Sequence, residues 1–114
     1  MRNLELPGRS PARATKGMAA TSHPLSTAAA LDMLRAGGNA MDAAITACAV
    51  QCVVEPQSTG IGGDCFVLYA PNGSADIVAY NGSGRAPAKA TPEWFADQGV
   101  NAIDAHSPHA VTVP

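Results

Sequence analysis

Charge is scarce in this sequence: only 14% of its 114 residues are Asp, Glu, Lys or Arg, against about a quarter in ordinary soluble domains. So little polar surface is available to cover a small sphere that part of it is expected to meet further protein. Basic excess is lacking too. The formal charge is −2, which supplies no patch for a phosphate backbone and excludes nucleic acid as the expected partner. Long apolar runs are absent, so no membrane span is expected. Met1 to Lys16 carries Arg2, Glu5, Arg9, Arg13 and Lys16 without the apolar stretch of a signal peptide. Cysteine is limited to Cys48, Cys52 and Cys65, an odd number without disulfide-framework spacing. That usage suits a reducing compartment, and a cytoplasmic location is expected.

What is present is mostly alanine and glycine, arranged for helices and turns. Residues 1–16 read as a polar leader broken by Pro7, Gly8 and Pro11. Met18–Thr21 is a short strand candidate. Pro24 suits a first helical turn, and Ala28, Leu31 and Leu34 recur at helical spacing, predicting a helix over about Leu25–Ala36 that Gly37-Gly38 stops. Asn39 caps a second helix, with Asp42 in its first turn and Glu55-Pro56 ending it near Val54. This helix is apolar all round, which predicts burial on more than one face. Cys65–Ala70 reads as a buried strand, Pro71-Asn72-Gly73 as a turn, and Asp76–Tyr80 as the returning strand of a hairpin. Asn81–Gly84 reads as a flexible or strained loop, Thr91 as the cap of a short helix Pro92–Gln98 stopped by Gly99, and Ala110–Val113 as a further strand.

Few residues offer chemistry. Gly60-Ile61-Gly62-Gly63 precedes a strand rather than a helix, has Cys65 where a dinucleotide fingerprint needs its third glycine, and lacks the Lys-Ser/Thr of a phosphate loop. It predicts a tight turn that needs positive φ or close backbone approach. Cys48 and Cys52 share one helix face, a spacing open to metal binding with Cys65 or a histidine but better suited to buried small-residue packing. No metal and no cofactor are expected. His23 reads as a corner residue between strand and helix, and His106 and His109 as members of a polar loop, none with a nucleophile in a recognisable arrangement. The strongest candidate is Tyr80-Asn81-Gly82-Ser83-Gly84-Arg85-Ala86-Pro87, where a glycine-flanked arginine at a strand end can present a bidentate guanidinium to a carboxylate. The alternative for Arg85 is a surface ion pair with an acidic neighbour.

The run Gly17-Met18-Ala19-Ala20-Thr21-Ser22-His23-Pro24-Leu25-Ser26-Thr27, followed by Arg35-Ala36-Gly37-Gly38-Asn39-Ala40-Met41-Asp42-Ala43-Ala44, closely resembles the start of the γ-glutamyltransferase family. Glu55-Pro56, Gly60-Ile61-Gly62-Gly63, the strand near Phe66, Ala86–Thr91 and Ala110–Pro114 resemble family segments in the same order. The resemblance implies an α+β chain from a four-layer αββα N-terminal-nucleophile hydrolase sandwich, with residues 17–114 an incomplete domain at the start of the large subunit. It implies a precursor that cuts itself into large and small subunits, with an N-terminal threonine of the small subunit as nucleophile. Residues 17–114 then pack against the remainder of their own precursor, and the chain alone is expected to be inactive.

In γ-glutamyl transferases the matching motif is Arg-Glu-x-Ala-Pro, its arginine binding the substrate α-carboxylate. Here Ser83 stands at that arginine's place and the motif reads Ser83-Gly84-Arg85-Ala86-Pro87. Ser83 and Arg85 are therefore the substrate-binding candidates for a small-molecule amide, with Arg85 displaced by about two strand rises, roughly 6.5 Å, if the segment is extended. The Gly-Ser-Gly-Arg-Ala-Pro form resembles the branch of amidohydrolases acting on small acidic amides such as oxamate. From another class altogether, the alternative is a non-enzymatic small binding or interaction domain.

Overall fold

The computed structural model describes residues 11–114. Residues 1–10 of the expected leader lie outside the described residues, and residues 11–16 are exposed and form neither helix nor strand. The chain divides into two compact units, one ending at Thr59 and the other running Gly60–Pro114.

The first unit is a pair of helices, α1 (Pro24–Arg35) and α2 (Ala40–Val54). His23 starts α1: its backbone is extended, and its Nδ1 accepts the Leu25 N–H at 3.2 Å. Pro24 at the first turn has no N–H to leave unpaired. At the other end the Gly37 N–H donates to the Leu34 carbonyl (3.1 Å) and the Gly38 N–H to the Met33 carbonyl (3.0 Å). Gly37, at φ 96°, supplies the left-handed residue that this double bond requires. A Cβ on Gly38 would lie 2.8 Å from Met33 Cγ, so a side chain there would have to displace that of Met33.

A reciprocal cap starts α2 at once. Asn39 Oδ1 accepts the Met41 and Asp42 N–H groups at 2.8 and 3.0 Å, and the Asn39 N–H donates to Asp42 Oδ2 at 2.9 Å. The helices meet along a seam of small residues. Ser26 and Ala30 on α1, and Ala43 and Ala47 on α2, are the buried residues; each pair is four apart, hence on one face. Ala19, Met33 and Leu34 pack around the alanines. The Ser26 Oγ is buried with no hydrogen-bond partner among the described residues. A second tie lies at the ends of the helices: Ser22 Oγ–H donates to Glu55 Oε2, and Gln51 Nε2 donates to Ser22 Oγ and, at 2.6 Å, to Glu55 Oε2.

Two expectations for this unit are corrected. Met18–Thr21 forms no strand, because no other chain segment pairs with it among the described residues. Nor is α2 buried on more than one face. A single neighbouring helix covers one stripe, so Ile45 and Val53 remain 61% and 79% exposed.

The second unit holds an antiparallel hairpin of β1 (Cys65–Tyr69) and β2 (Val78–Gly82), in register from Cys65↔Gly82 to Tyr69↔Val78. A 3-10 turn, Pro71–Gly73, follows β1, with Asn72 at φ 53°. The strand β1 was expected to be buried and is not: Phe66 and Leu68 are exposed, since a two-stranded ribbon has no second layer in this unit. The register also draws Asn81 and Gly82 into β2, shortening the expected loop. A short helix, α3 (Pro92–Asp97), is capped by Thr91 Oγ1 accepting the Trp94 N–H at 3.2 Å. Of the expected strand Ala110–Val113, only Val113 pairs, in an isolated bridge with Arg85. The chain is thus α+β with one two-stranded sheet.

The seam yields opposite signs for two substitutions. Ala47→Leu forces a larger side chain between the helices and is expected to cost about 1–3 kcal/mol. Ser26→Ala removes an unpaired buried hydroxyl and is expected to gain about 1 kcal/mol. Urea unfolding followed by helical circular dichroism measures both, and an unchanged midpoint for Ala47→Leu would contradict close packing.

Candidate functional site

The loop from Asn81 to Arg85 is fixed to its surroundings at successive residues. Gly82 ends β2 opposite Cys65, where a Cβ would lie 2.8 Å from the Cys65 carbonyl oxygen and 2.7 Å from the Tyr80 ring. Asn81 Oδ1 then accepts the Ser83 N–H at 3.1 Å, turning the chain. Gly84 follows at φ 72°. A Cβ there would stand 2.6–2.7 Å from the backbone atoms of Val113 and Pro114, so only glycine permits this contact. Arg85 then exchanges both backbone hydrogen bonds with Val113, its N–H donating at 3.3 Å and its carbonyl accepting at 2.8 Å. The Val113 segment is itself held one residue earlier, where Thr112 Oγ1–H donates to Asp64 Oδ1 at 2.9 Å.

Against this fixed backbone the Arg85 side chain is unengaged. It is exposed, and the ion pair found among the described residues is elsewhere, between Arg35 and Asp32 at 2.6 Å. The surface ion pair weighed for Arg85 is therefore not formed among the described residues. Ser83 is half-buried two residues away. The relation expected between them is corrected: Gly84 at positive φ interrupts the extended path, so strand alternation does not set the offset of Arg85 from Ser83.

Beyond the loop lies a cleft of about 260 Å³ lined by Pro87, Lys89, Trp94, Phe95, His109 and Val111, among others. His109, expected in a polar loop, is half-buried and packs edge-on against Trp94 and Phe95, with ring centroids 5.8 and 5.7 Å apart. His106 remains exposed, its N–H bonded to Asp104 Oδ1 at 2.8 Å. His23 is the cap of α1 as described.

The remaining candidates assemble no site. Cys48 and Cys65 are exposed and Cys52 is half-buried, all three free, so the expected buried packing of the helix cysteines is not found. Among the described residues no three metal-ligating side chains cluster, and no helix is long and apolar enough to cross a membrane. In the Gly60–Gly63 turn the Gly63 N–H donates to the Gly60 carbonyl at 3.2 Å. None of its glycines has positive φ, and added Cβ atoms would meet open space or ordinary contact. The expectation of a conformationally demanding turn is overturned within this chain.

Ala110–Val113 was expected as a strand, but its pairing with Arg85 and with Asp64 was not. Asp64 and Thr112 are 48 residues apart, and neither sits in a local pattern that signals the pairing.

The family model described as gamma-glutamyltranspeptidase matches residues 26–114. A glutathione hydrolase proenzyme of Bacillus subtilis is 41% identical over 87 residues, which is 76% of this chain and 15% of that protein. An oxamate amidohydrolase proenzyme of Klebsiella pneumoniae is 43% identical over 84 residues, 74% of this chain and 16% of that one. The crystal structure of Helicobacter pylori gamma-glutamyltranspeptidase aligns with a TM-score of 0.77 at 31% identity, covering 92% of this chain and 31% of its own. The chain thus spans less than a fifth of the length of either curated relative.

One carboxylate beside the cleft is perturbed. Glu93, in the first turn of α3, is held below the usual carboxylate range by its own backbone amide and then by the Thr91 hydroxyl. A lowered folded-state value contributes stability above the unfolded value, about pH 4.3, and loses it as pH falls through the folded one. Trp94 fluorescence, the chain having a single tryptophan, should therefore report loosening of α3 on acidification below that range. Glu93→Gln should flatten this limb of the titration, and an identical acid limb in the variant would refute the assignment.

Proposed function

Because the chain belongs to the gamma-glutamyltranspeptidase family, we propose that the intact protein transfers or hydrolyses γ-glutamyl or related amide-linked acyl groups. The ordered match over residues 26–114 carries this reading. In it, a threonine freed at the N-terminus of a small subunit attacks the amide carbonyl, its own α-amine taking the proton. The acyl group passes to the threonine oxygen, the amine leaves, and water or a second amine releases the acyl group. Backbone amides stabilise the oxyanion at each tetrahedral stage. None of these groups belongs to the present chain, which supplies scaffold and a substrate contact.

The structural counterpart is a four-layer αββα sandwich in which α1 and α2 belong to a helical layer and the β1–β2 hairpin to a sheet. The exposed apolar faces of α2 and β1 support this, because further layers of the same precursor would bury them. A self-contained binding domain would be expected to bury its own apolar helix, and α2 remains open at Ile45 and Val53.

For the substrate, Arg85 is the carboxylate ligand and Ser83 lines the same place. Two sequence relatives, a glutathione hydrolase and an oxamate amidohydrolase, lie at 41% and 43% identity, too close together to choose between them. The substitution of Ser83 for the transferase arginine favours the second class, an amidohydrolase of small acidic amides. Turnover of oxamate and of a γ-glutamyl anilide by the full-length enzyme separates the two, and efficient γ-glutamyl turnover would exclude the amidohydrolase. In either case Arg85→Ala is expected to raise KM about tenfold or more, since a charge-assisted contact contributes about 1.5–3 kcal/mol, with a smaller effect on kcat. An unchanged KM would remove Arg85 from the site.

A further inference from the structure

The backbone under Arg85 has no freedom to slide. If substrate recognition depended on recovering the arginine position that Ser83 occupies, the chain would have to advance by two residues. Several features oppose this: the Asn81–Ser83 turn, the contact of Gly84 with Val113 and Pro114, the double bridge Arg85–Val113, and the Thr112–Asp64 bond that holds the bridging segment. Only the arginine side chain is left to move, and it is exposed and unpaired among the described residues.

We infer that Gly84 and the Thr112–Val113 segment are positioning elements that set the reach of the Arg85 guanidinium and so select acyl groups by the distance between their carboxylate and the scissile carbonyl. The inference rests on the reading of Arg85 as the carboxylate ligand. With the arginine anchored two residues from its usual place, the substrate carboxylate must come to the guanidinium. A compact acid whose carboxylate adjoins the amide and a γ-glutamyl group whose carboxylate lies several bonds away place their carboxylates at different distances from the nucleophile, and an arginine with an anchored backbone favours the distance that lies within the sweep of its own side chain. Gly84 is a determinant because any side chain there would collide with the very segment that bridges Arg85. Asp64 and Thr112 act at one remove, by keeping that segment in place.

The test uses the full-length enzyme, assayed on oxamate and on a γ-glutamyl anilide, with the extent of precursor cleavage measured for each variant. Gly84→Ala is expected to raise KM for the preferred substrate about tenfold, to leave kcat within about threefold, and to narrow the discrimination between the two substrates. Should Gly84→Ala fail to mature, Thr112→Val decides: it is expected to raise KM a few-fold with kcat retained, while Thr112→Ser, which keeps the hydroxyl, restores the parent value. Arg85→Ala separates the two levels of the reading. If it leaves KM unchanged, Arg85 is not the ligand and the underlying assignment fails. If it raises KM while Gly84→Ala and Thr112→Val leave both KM and discrimination unchanged, the assignment stands and the positioning inference is overturned. A parallel fall in kcat for both substrates, with KM and discrimination intact, would likewise overturn it as a structural effect only.

Discussion

Close approach of backbone to backbone, permitted by missing side-chain bulk, is the constraint on which each unit is built. In the first unit, Ser26, Ala30, Ala43 and Ala47 let two helices share a seam, and Gly38 lets the connection fold against Met33. In the second, Gly82 brings the end of β2 against Cys65, and Gly84 brings the loop against Val113 and Pro114. Small residues bury little apolar area individually. Their contribution is geometric: they fix where larger or charged groups nearby must stand.

Much of the helical architecture was legible because helix ends are written locally. Pro24, the Gly37-Gly38 stop, the Asn39 cap with Asp42 in its first turn, and Thr91 act over at most a few residues, so their spacing placed the helices, whereas the capping by His23 and the reciprocal bond of Asp42 emerge only in the structure. The hairpin was legible for the same reason, through Pro71-Asn72-Gly73. Burial was not legible. An apolar composition shows that α2 and β1 can be covered, but what covers them depends on elements that pack against them, and here α1 covers one stripe of α2 while β2 pairs along the edge of β1 and leaves its faces open. The candidate loop was likewise half-legible: Gly84-Arg85 stood out as a strand-end cation, whereas its pairing with Val113 is a non-local event with no periodic signal. Met18–Thr21 failed as a strand for the complementary reason, because strand propensity without a partner strand forms no ladder.

A rigid backbone bearing a free cation is a particular kind of recognition element. Flexible arginines adapt to several anions and lose rotamer entropy at each encounter. One whose main chain is bridged on both hydrogen bonds has already lost its backbone freedom on folding, and it meets substrate with only its side chain left to order. The neighbouring aromatic cleft, with His109 packed edge-on against the Trp94–Phe95 pair, adds an apolar wall to the same unit.

The seam between α1 and α2 also has a kinetic consequence. Its contacts join helices separated by only Ala36–Asn39, so closing it costs little loop entropy, and such local contacts form fast. The loop that carries Arg85 closes only when Thr112 and Val113 have been synthesised and have met Asp64 and Arg85. On a ribosome the helical hairpin, complete at Val54, therefore precedes the cation's anchorage at Val113 by about sixty residues of elongation, roughly 3–12 s at about 5–20 residues per second. During that interval the open face of α2 is the surface a nascent chain must keep from wrong partners.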